Sequence, residues 1–135
     1  MENIVWMDEQ YSVGVPSIDT QHRKLVDILN TVITAQHEKR EGDVLFELVN
    51  ELIEYAVVHF AHEEELLTQA GYPALVEHKL AHYEFMKNAL QLQSKYWQMD
   101  EGLAAETQAA LFKWLMTHIL KEDRKYIGLI KDTPI

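Results

Sequence analysis

The hydrophobic positions of this chain recur at helical spacing in four successive segments. Over residues 19–38, 43–69, 74–96 and 103–127, apolar side chains return every three or four positions, the period of a helix with one buried face. Short connections join the segments, and no useful stretch alternates between apolar and polar residues as a strand would. The pattern predicts an all-α fold, an up-down-up-down antiparallel four-helix bundle.

The segment before the first predicted helix has a different character. Residues 1–18 lack a helical period and contain aromatic side chains, so we expect an ordered N-terminal arm that covers one end of the bundle. Ser17 or Asp19 can cap the first helix, and Gly42 is typical of its end. A length of 135 residues predicts a single domain over residues 1–135.

Composition excludes several classes of protein. With 12 basic and 22 acidic side chains, the formal charge is −10, which argues against nucleic acid as a partner. The absence of cysteine excludes disulfides, zinc ribbons and thiol nucleophiles. No secretory leader is evident, and no run approaches the ~18 apolar residues of a membrane span. We expect a cytoplasmic protein that is not an integral membrane protein, and a monomer because no long exposed apolar helix face is evident.

Several histidines interrupt the apolar stripes of the predicted helices. Five of the seven histidines face inward: His22, His59, His78, His82 and His118. A single inward histidine is more often a hydrogen-bonded core residue than a metal ligand. Five unpaired buried imidazoles would cost several kcal/mol in lost hydration, and the bundle topology places all five near the same end. This convergence predicts a metal centre.

The type of ligand narrows the choice of metal. Imidazole and carboxylate ligands suit iron, zinc, copper or manganese, and five histidines exceed one tetrahedral site, which favours two metals bridged by carboxylates. The Glu-x-x-His pairs of ferritin-like di-iron bundles are absent, because no glutamate stands three residues before any inward histidine. A centre rich in histidine favours binding a ligand over generating a strong oxidant.

Four motifs, in this order, resemble those of the hemerythrin family, specifically its single-domain bacterial members. They are Trp6 and Tyr11 with IDTQH ending at His22, then HFAHE from His59, then GYP with HKLAH from His78, and finally HILKED from His118. The resemblance covers nearly the whole chain. It implies a non-haem di-iron centre that binds O2 reversibly.

The resemblance also assigns roles to individual residues. The implied iron ligands are His22, His59, Glu63, His78, His82, His118 and Asp123. His78, His82 and His118 would bind one iron. His22 and His59 would bind the other iron, which keeps an open position. The two carboxylates would bridge the irons together with an oxo or hydroxo group. The implied O2 pocket, which excludes water, comprises Phe60, Leu115 and Ile119, with Trp114 beside it. Any one of these four also fits a plain core position.

Helical spacing disagrees with the resemblance at one ligand. Glu122 lies four residues after His118 and shares its face, whereas Asp123 lies about 140° around a regular helix. The resemblance selects Asp123, so we expect it to reach the metals from the flank or from a locally distorted helix. We expect Glu64 to be solvated, and His62 to lie at the surface or support a ligand.

The function that we expect is O2 storage, buffering or transport, without enzymatic activity. The alternatives are an O2 or redox sensor that acts through a separate partner and a di-iron reductase of peroxide or nitric oxide. No signalling module follows the fourth helix in this sequence, and apolar residues stand where a reductase needs a proton donor. Iron storage is disfavoured because the ligand set is closed. The acidic surface can steer the protein to a basic recipient that consumes O2.

Overall fold

The chain folds into the predicted four-helix bundle. The computed structural model describes residues 3–38, 42–97, 109–110 and 112–130, and all regular secondary structure within those ranges is helical. A one-turn helix precedes three long helices: α1 (Asp8–Tyr11), α2 (Pro16–His37), α3 (Gly42–Ala70) and α4 (Leu75–Trp97). The last helix, α5, is described at 109–110 and from 112 to 126. Its predicted beginning, 103–108, lies outside the described residues.

The first long helix begins three residues earlier than predicted. Pro16 is its first residue, as suits a residue with fixed φ and no N–H, so the prediction that Ser17 or Asp19 caps the helix was wrong. The Asp19 carboxylate instead accepts hydrogen bonds from Ser12 Oγ at 2.6 Å and from the Val13 N–H at 2.8 Å. These bonds fix the arm to the first turn of α2.

The N-terminal arm is ordered along α2. The Trp6 ring stacks on Tyr11 with centroids 5.1 Å apart, and the guanidinium of Arg23 lies 5.2 Å from the Trp6 centroid. Further along α2, Asn30 and the backbone of Ile4 exchange two hydrogen bonds of 2.7 Å. The arm therefore covers a long part of one helix as well as an end of the bundle.

The turn between α3 and α4 reverses the chain. Gly71 has φ +66°, a conformation that favours glycine. The Tyr72 N–H donates to the Leu67 carbonyl at 3.0 Å, and the Gly71 N–H donates to the Thr68 carbonyl at 3.1 Å, which is the Schellman pattern of a helix end. This turn brings the last turns of α3 against the first turns of α4.

The apolar core is divided into two clusters. The larger one spans all four bundle helices, and the smaller one lies beneath the arm and the α3–α4 turn. The smaller cluster contains Val13, Val15, Ile18, Leu66, Leu67, Tyr126 and Ile130. Along α2, buried His22 stands between Ile18 of the smaller cluster and Leu25 of the larger one. The bundle therefore encloses a polar layer between two apolar ones.

One expectation about the surface was wrong. The outer face of α4 exposes four apolar side chains, Val76, Leu80, Tyr83 and Leu90, each at least 60% accessible. An exposed apolar face therefore exists, although four side chains are far fewer than the roughly 20–30 residues a side of a standard interface. The monomeric state stays a prediction. No helix in the described ranges is long and apolar enough to cross a membrane.

Candidate metal centre

The seven predicted ligands all lie in the buried polar layer, and none is more than 5% exposed. Their nitrogen and oxygen atoms form two groups, and within each group the atoms lie within 4.8 Å of one another. One group is Glu63, His78, His82, His118 and Asp123, and the other is His22, His59, Glu63 and Asp123. We call these the three-histidine group and the two-histidine group. The two carboxylates belong to both.

Glu63 directs one oxygen toward each group. Its Oε1 lies 2.6 Å from Nε2 of His78 and 3.1 Å from Nε2 of His82. Its Oε2 lies 3.5 Å from Nε2 of His59 and 3.7 Å from Nε2 of His22. A carboxylate that faces two sets of imidazoles in this way is arranged to bridge two cations.

Asp123 likewise presents one oxygen to each histidine group. Its Oδ1 lies 3.1 Å from Nε2 of His78 and 3.0 Å from Nε2 of His118, whereas its Oδ2 lies 3.0 Å from Nε2 of His22. Both carboxylates therefore link the three-histidine group to the two-histidine group. The cluster has the connectivity of a centre with two adjacent metal positions.

A π-helical turn explains how Asp123 reaches the cluster. In α5, the regular helix over 112–117 gives way to a π-helix, His118–Glu122, and then to a 3₁₀-helix, Asp123–Tyr126. The Asp123 N–H donates to the carbonyl of His118, five residues back, so both side chains share a face. Glu122 is instead 46% exposed and pairs with Lys125 at 2.9 Å. The expected local distortion is confirmed, and such π turns are frequent at functional sites.

Unpaired buried atoms support the fit to a metal. Among the described residues, both ring nitrogens of His22, Nε2 of His59 and both oxygens of Asp123 are buried without a hydrogen-bond partner. An unpaired buried polar group costs about 1–3 kcal/mol, yet His22 Nε2 and Asp123 Oδ2 are only 3.0 Å apart. These two atoms are close, but their alignment does not make a hydrogen bond. Side chains around a metal are oriented in this way.

Comparison with known proteins identifies the family. The hemerythrin HHE cation binding domain matches residues 13–130. The chain belongs to the hemerythrin family. A bacteriohemerythrin of Stenotrophomonas maltophilia is 34% identical over 131 residues, covering 97% of this chain and 84% of that protein. One of Clostridium acetobutylicum is 35% identical over 127 residues, covering 91% and 98%. A wild-type hemerythrin crystal structure superposes with a TM-score of 0.80 at 26% identity, covering 95% and 98%.

Charge within this hemerythrin-type cluster is balanced without a metal. Burial alone would lower the pKa of His22 and His78, but the adjacent Asp123 and Glu63 carboxylates outweigh it, raising the pKa of His22 to about 9 and that of His78 to about 10. Burial likewise opposes ionisation of both carboxylates, yet the surrounding histidines hold each carboxyl pKa below its usual value. Burial dominates at His59, where it lowers the pKa.

These shifts predict that metal binding releases protons. With pKa values of about 9 and about 10, we expect His22 and His78 to be protonated at pH 7.5 in the metal-free protein. Metal ligation requires neutral imidazoles, so about two protons should be expelled. Calorimetric titration with Co²⁺ in buffers of different ionisation enthalpy measures this number. A binding enthalpy that does not depend on the buffer would contradict the assignment.

The same shifts set the pH dependence of metal-free stability. Both histidines have folded pKa values above about 6.5, the unfolded value, so their contribution is complete below that pH and lost as pH rises through 9 to 10. The lowered pKa values of Glu63 and Asp123 act oppositely, contributing above about pH 4 and losing that contribution as pH falls. The lowered pKa of His59 removes stability as pH falls below about 6.5. Urea unfolding of the metal-free protein should therefore show maximal stability at about pH 6.5.

Two of the predicted ligand histidines are held by side chains to which the sequence analysis gave no role at the centre. His82 Nδ1 donates to Glu64 Oε2, and His59 Nδ1 donates to Gln21 Oε1, both at 2.8 Å. The expectation that Glu64 is solvated was wrong, since its side chain is only 27% exposed. The position of Gln21 next to the predicted ligand His22 in the sequence offered a weak signal.

A tyrosine also supports the cluster. The Tyr126 hydroxyl donates to Glu63 Oε2 at 2.9 Å, and Tyr126 is fully buried. Burial and the two neighbouring carboxylates raise the Tyr126 pKa far above its usual value, so it keeps its proton at neutral pH. His62 belongs to neither ligand group and lies 2.9 Å from Ser17 Oγ through its Nε2. Its imidazole links α3 to the first turn of α2.

The predicted pocket residues pack around the ligands. Phe60, Leu115 and Ile119 are at most 4% exposed and belong to the larger core cluster. The Phe60 ring stacks on His82 with centroids 3.8 Å apart and planes at 11°. Trp114 stacks on His118 at 4.8 Å and 8°, and both residues line a surface cleft of about 520 Å³. Aromatic rings therefore cover one face of two of the predicted ligands, His82 and His118, with Trp114 at the solvent side.

Proposed function

We propose that this protein binds O2 reversibly at a pair of iron ions and serves in O2 storage, buffering or transport. The observation that carries the proposal is the division of the cluster into two histidine groups that share two carboxylates. Membership of the hemerythrin family supports the choice of iron and of O2. A ligand set made only of histidines and carboxylates is also suited to iron.

Roles within the centre follow the two groups. We assign one iron to His78, His82 and His118, and the other to His22 and His59, with both carboxylates as bridges. The two-histidine group supplies one histidine fewer, which leaves a coordination position for O2. The irons, when bound, supply the electrons that O2 binding draws on.

The remaining task of the chain is to keep bound O2 from reacting further. Buried apolar side chains, including Phe60 and Ile119, limit the access of water and of protons. Tyr126 is a poor proton donor, because its raised pKa and its hydrogen bond to Glu63 hold its proton. A peroxide or nitric oxide reductase needs efficient proton delivery, so these features favour the carrier over the enzyme.

The test is an absorption spectrum of the reduced, anaerobic protein before and after O2 is added and again after argon purging, with iron counted per chain. We expect a colour that appears with O2, disappears on purging and accompanies two irons. Irreversible conversion to the oxidised form, a metal other than iron, or sustained turnover with a reductant would contradict the proposal. The last result would support the reductase.

The surface charge supports a proposal for the recipient of O2. The formal charge of −10 favours encounter with a basic surface, so we propose a basic, O2-consuming protein as the recipient. A sensor role would require a partner that distinguishes the O2-bound protein from the O2-free one.

A further inference from the structure

The two hydrogen-bonded ligand histidines have partners of different charge. In both His82 and His59, Nε2 faces Glu63 and Nδ1 points away from the cluster. Behind His82 stands the carboxylate of Glu64, and behind His59 stands the neutral amide of Gln21, each at 2.8 Å. Because Nδ1 donates in both cases, Nε2 keeps its lone pair for a metal.

The charge of the partner determines how strongly the imidazole binds a cation. A group that accepts a hydrogen bond from the outer nitrogen of a ligand histidine fixes the ring and raises its basicity. A carboxylate does so more strongly than an amide, because a hydrogen bond to a charged acceptor is roughly twice as strong. His82 should therefore be a stronger donor to its metal than His59.

The surroundings preserve this difference. Phe60 stacks on the His82 ring at 3.8 Å and fixes its plane, so the hydrogen bond to Glu64 keeps its direction. Glu64 lines a shallow cleft with Phe60 and His82, and its side chain is 27% exposed. Replacing its carboxylate with an amide of equal size therefore leaves no fully buried unpaired group.

We propose that Glu64 and Gln21 are positioning residues that make the two metal positions unequal. Glu64 strengthens the three-histidine group and stabilises the more oxidised metal there, whereas Gln21 leaves the two-histidine group easier to keep reduced. The inference rests on the proposed function in assuming that both positions hold iron. The consequence of this difference is that iron at the two-histidine group, the position open to O2, is the iron that is more easily kept in the reduced state.

The test compares Glu64→Gln with Glu65→Gln. The control removes the same charge from the next residue of α3, whose side chain is exposed. In titrations with Co²⁺ alone, we expect Glu64→Gln to weaken one of the two binding events by about 10- to 100-fold, while Glu65→Gln matches the original protein. In the iron form, we expect one reduction equilibrium to shift about tenfold toward the reduced state, roughly 59 mV for one electron.

A second variant distinguishes charge from loss of structure. Gln21→Glu places a carboxylate behind His59, so we expect the other reduction equilibrium to shift toward the oxidised state. Damage to the fold would not produce this opposite shift. Equal affinities and potentials in Glu64→Gln and Glu65→Gln would overturn the inference, and so would equal shifts at both positions. If Co²⁺ binds with the expected affinities but the iron form does not bind O2 reversibly, the proposed function alone is overturned.

Discussion

Replacing Glu63 with glutamine is expected to reduce the iron content from two ions per chain to one or fewer and to abolish the reversible O2-dependent absorption. An amide offers a single acceptor oxygen, whereas Glu63 presents one oxygen to each histidine group. The amide nitrogen would face imidazole nitrogens or a cation, and either contact is unfavourable in a site with no exposure to water. Iron analysis and the absorption spectrum measure the result.

The matched control is Glu122→Gln. It removes a carboxylate from the π turn beside Asp123, but Glu122 is half exposed and pairs with Lys125 outside the cluster. We expect this variant to keep two irons and the original spectrum, and Asp123→Asn to behave like Glu63→Gln. Loss of iron in Glu122→Gln, or full iron in Glu63→Gln, would show that the carboxylates are assigned wrongly.

Helical periodicity accounts for how much of the centre the sequence predicted. A ligand that continues an apolar stripe must face the same interior as its neighbours, as His59 does between buried Ala56 and Phe60. The alternation of helix direction then determines which end of the bundle each ligand occupies. These two rules, applied to four helices, place five histidines together without any knowledge of side-chain contacts.

The remaining features depend on departures from a regular helix or on neighbouring helices. Helical spacing favoured Glu122 as the ligand because that argument assumes a regular helix. Nothing in the local sequence HILKED predicts the π turn that directs Asp123 inward. Glu64 lies off the buried stripe of α3, so its environment is decided by α4, which places His82 within 2.8 Å. The family resemblance identified Asp123 but assigned no role to Glu64.

The need for the π turn on α5 has a physical cause. A regular helix can place two predicted ligands on one face when they are four residues apart, as His78 and His82 are on α4. His118 and Asp123 are five residues apart, so the π turn is what lets them share a face.

Replacing Leu115 with alanine is expected to increase the rate of autoxidation while leaving O2 binding intact. Leu115 is 1% exposed, belongs to the core cluster that contains Phe60 and Ile119, and precedes His118 by three residues on α5. Its removal opens space beside the ligands, through which water and protons can approach. A barrier lowered by about 1.4 kcal/mol suffices for a tenfold faster reaction. The decay of the O2-bound absorption in air-saturated buffer measures the rate.

The control is Leu92→Ala, which removes the same side chain from the same cluster, also at full burial. Leu92 lies ten residues beyond His82 on α4, about 15 Å along the helix axis, so its cavity is remote from the ligands. Both variants should lose about 2–5 kcal/mol of unfolding free energy, measured in urea with the metal-free protein. Only Leu115→Ala should autoxidise faster. If both variants autoxidise faster to the same extent, the cause is a looser fold. If neither variant autoxidises faster, Leu115 does not help to keep water and protons from the centre.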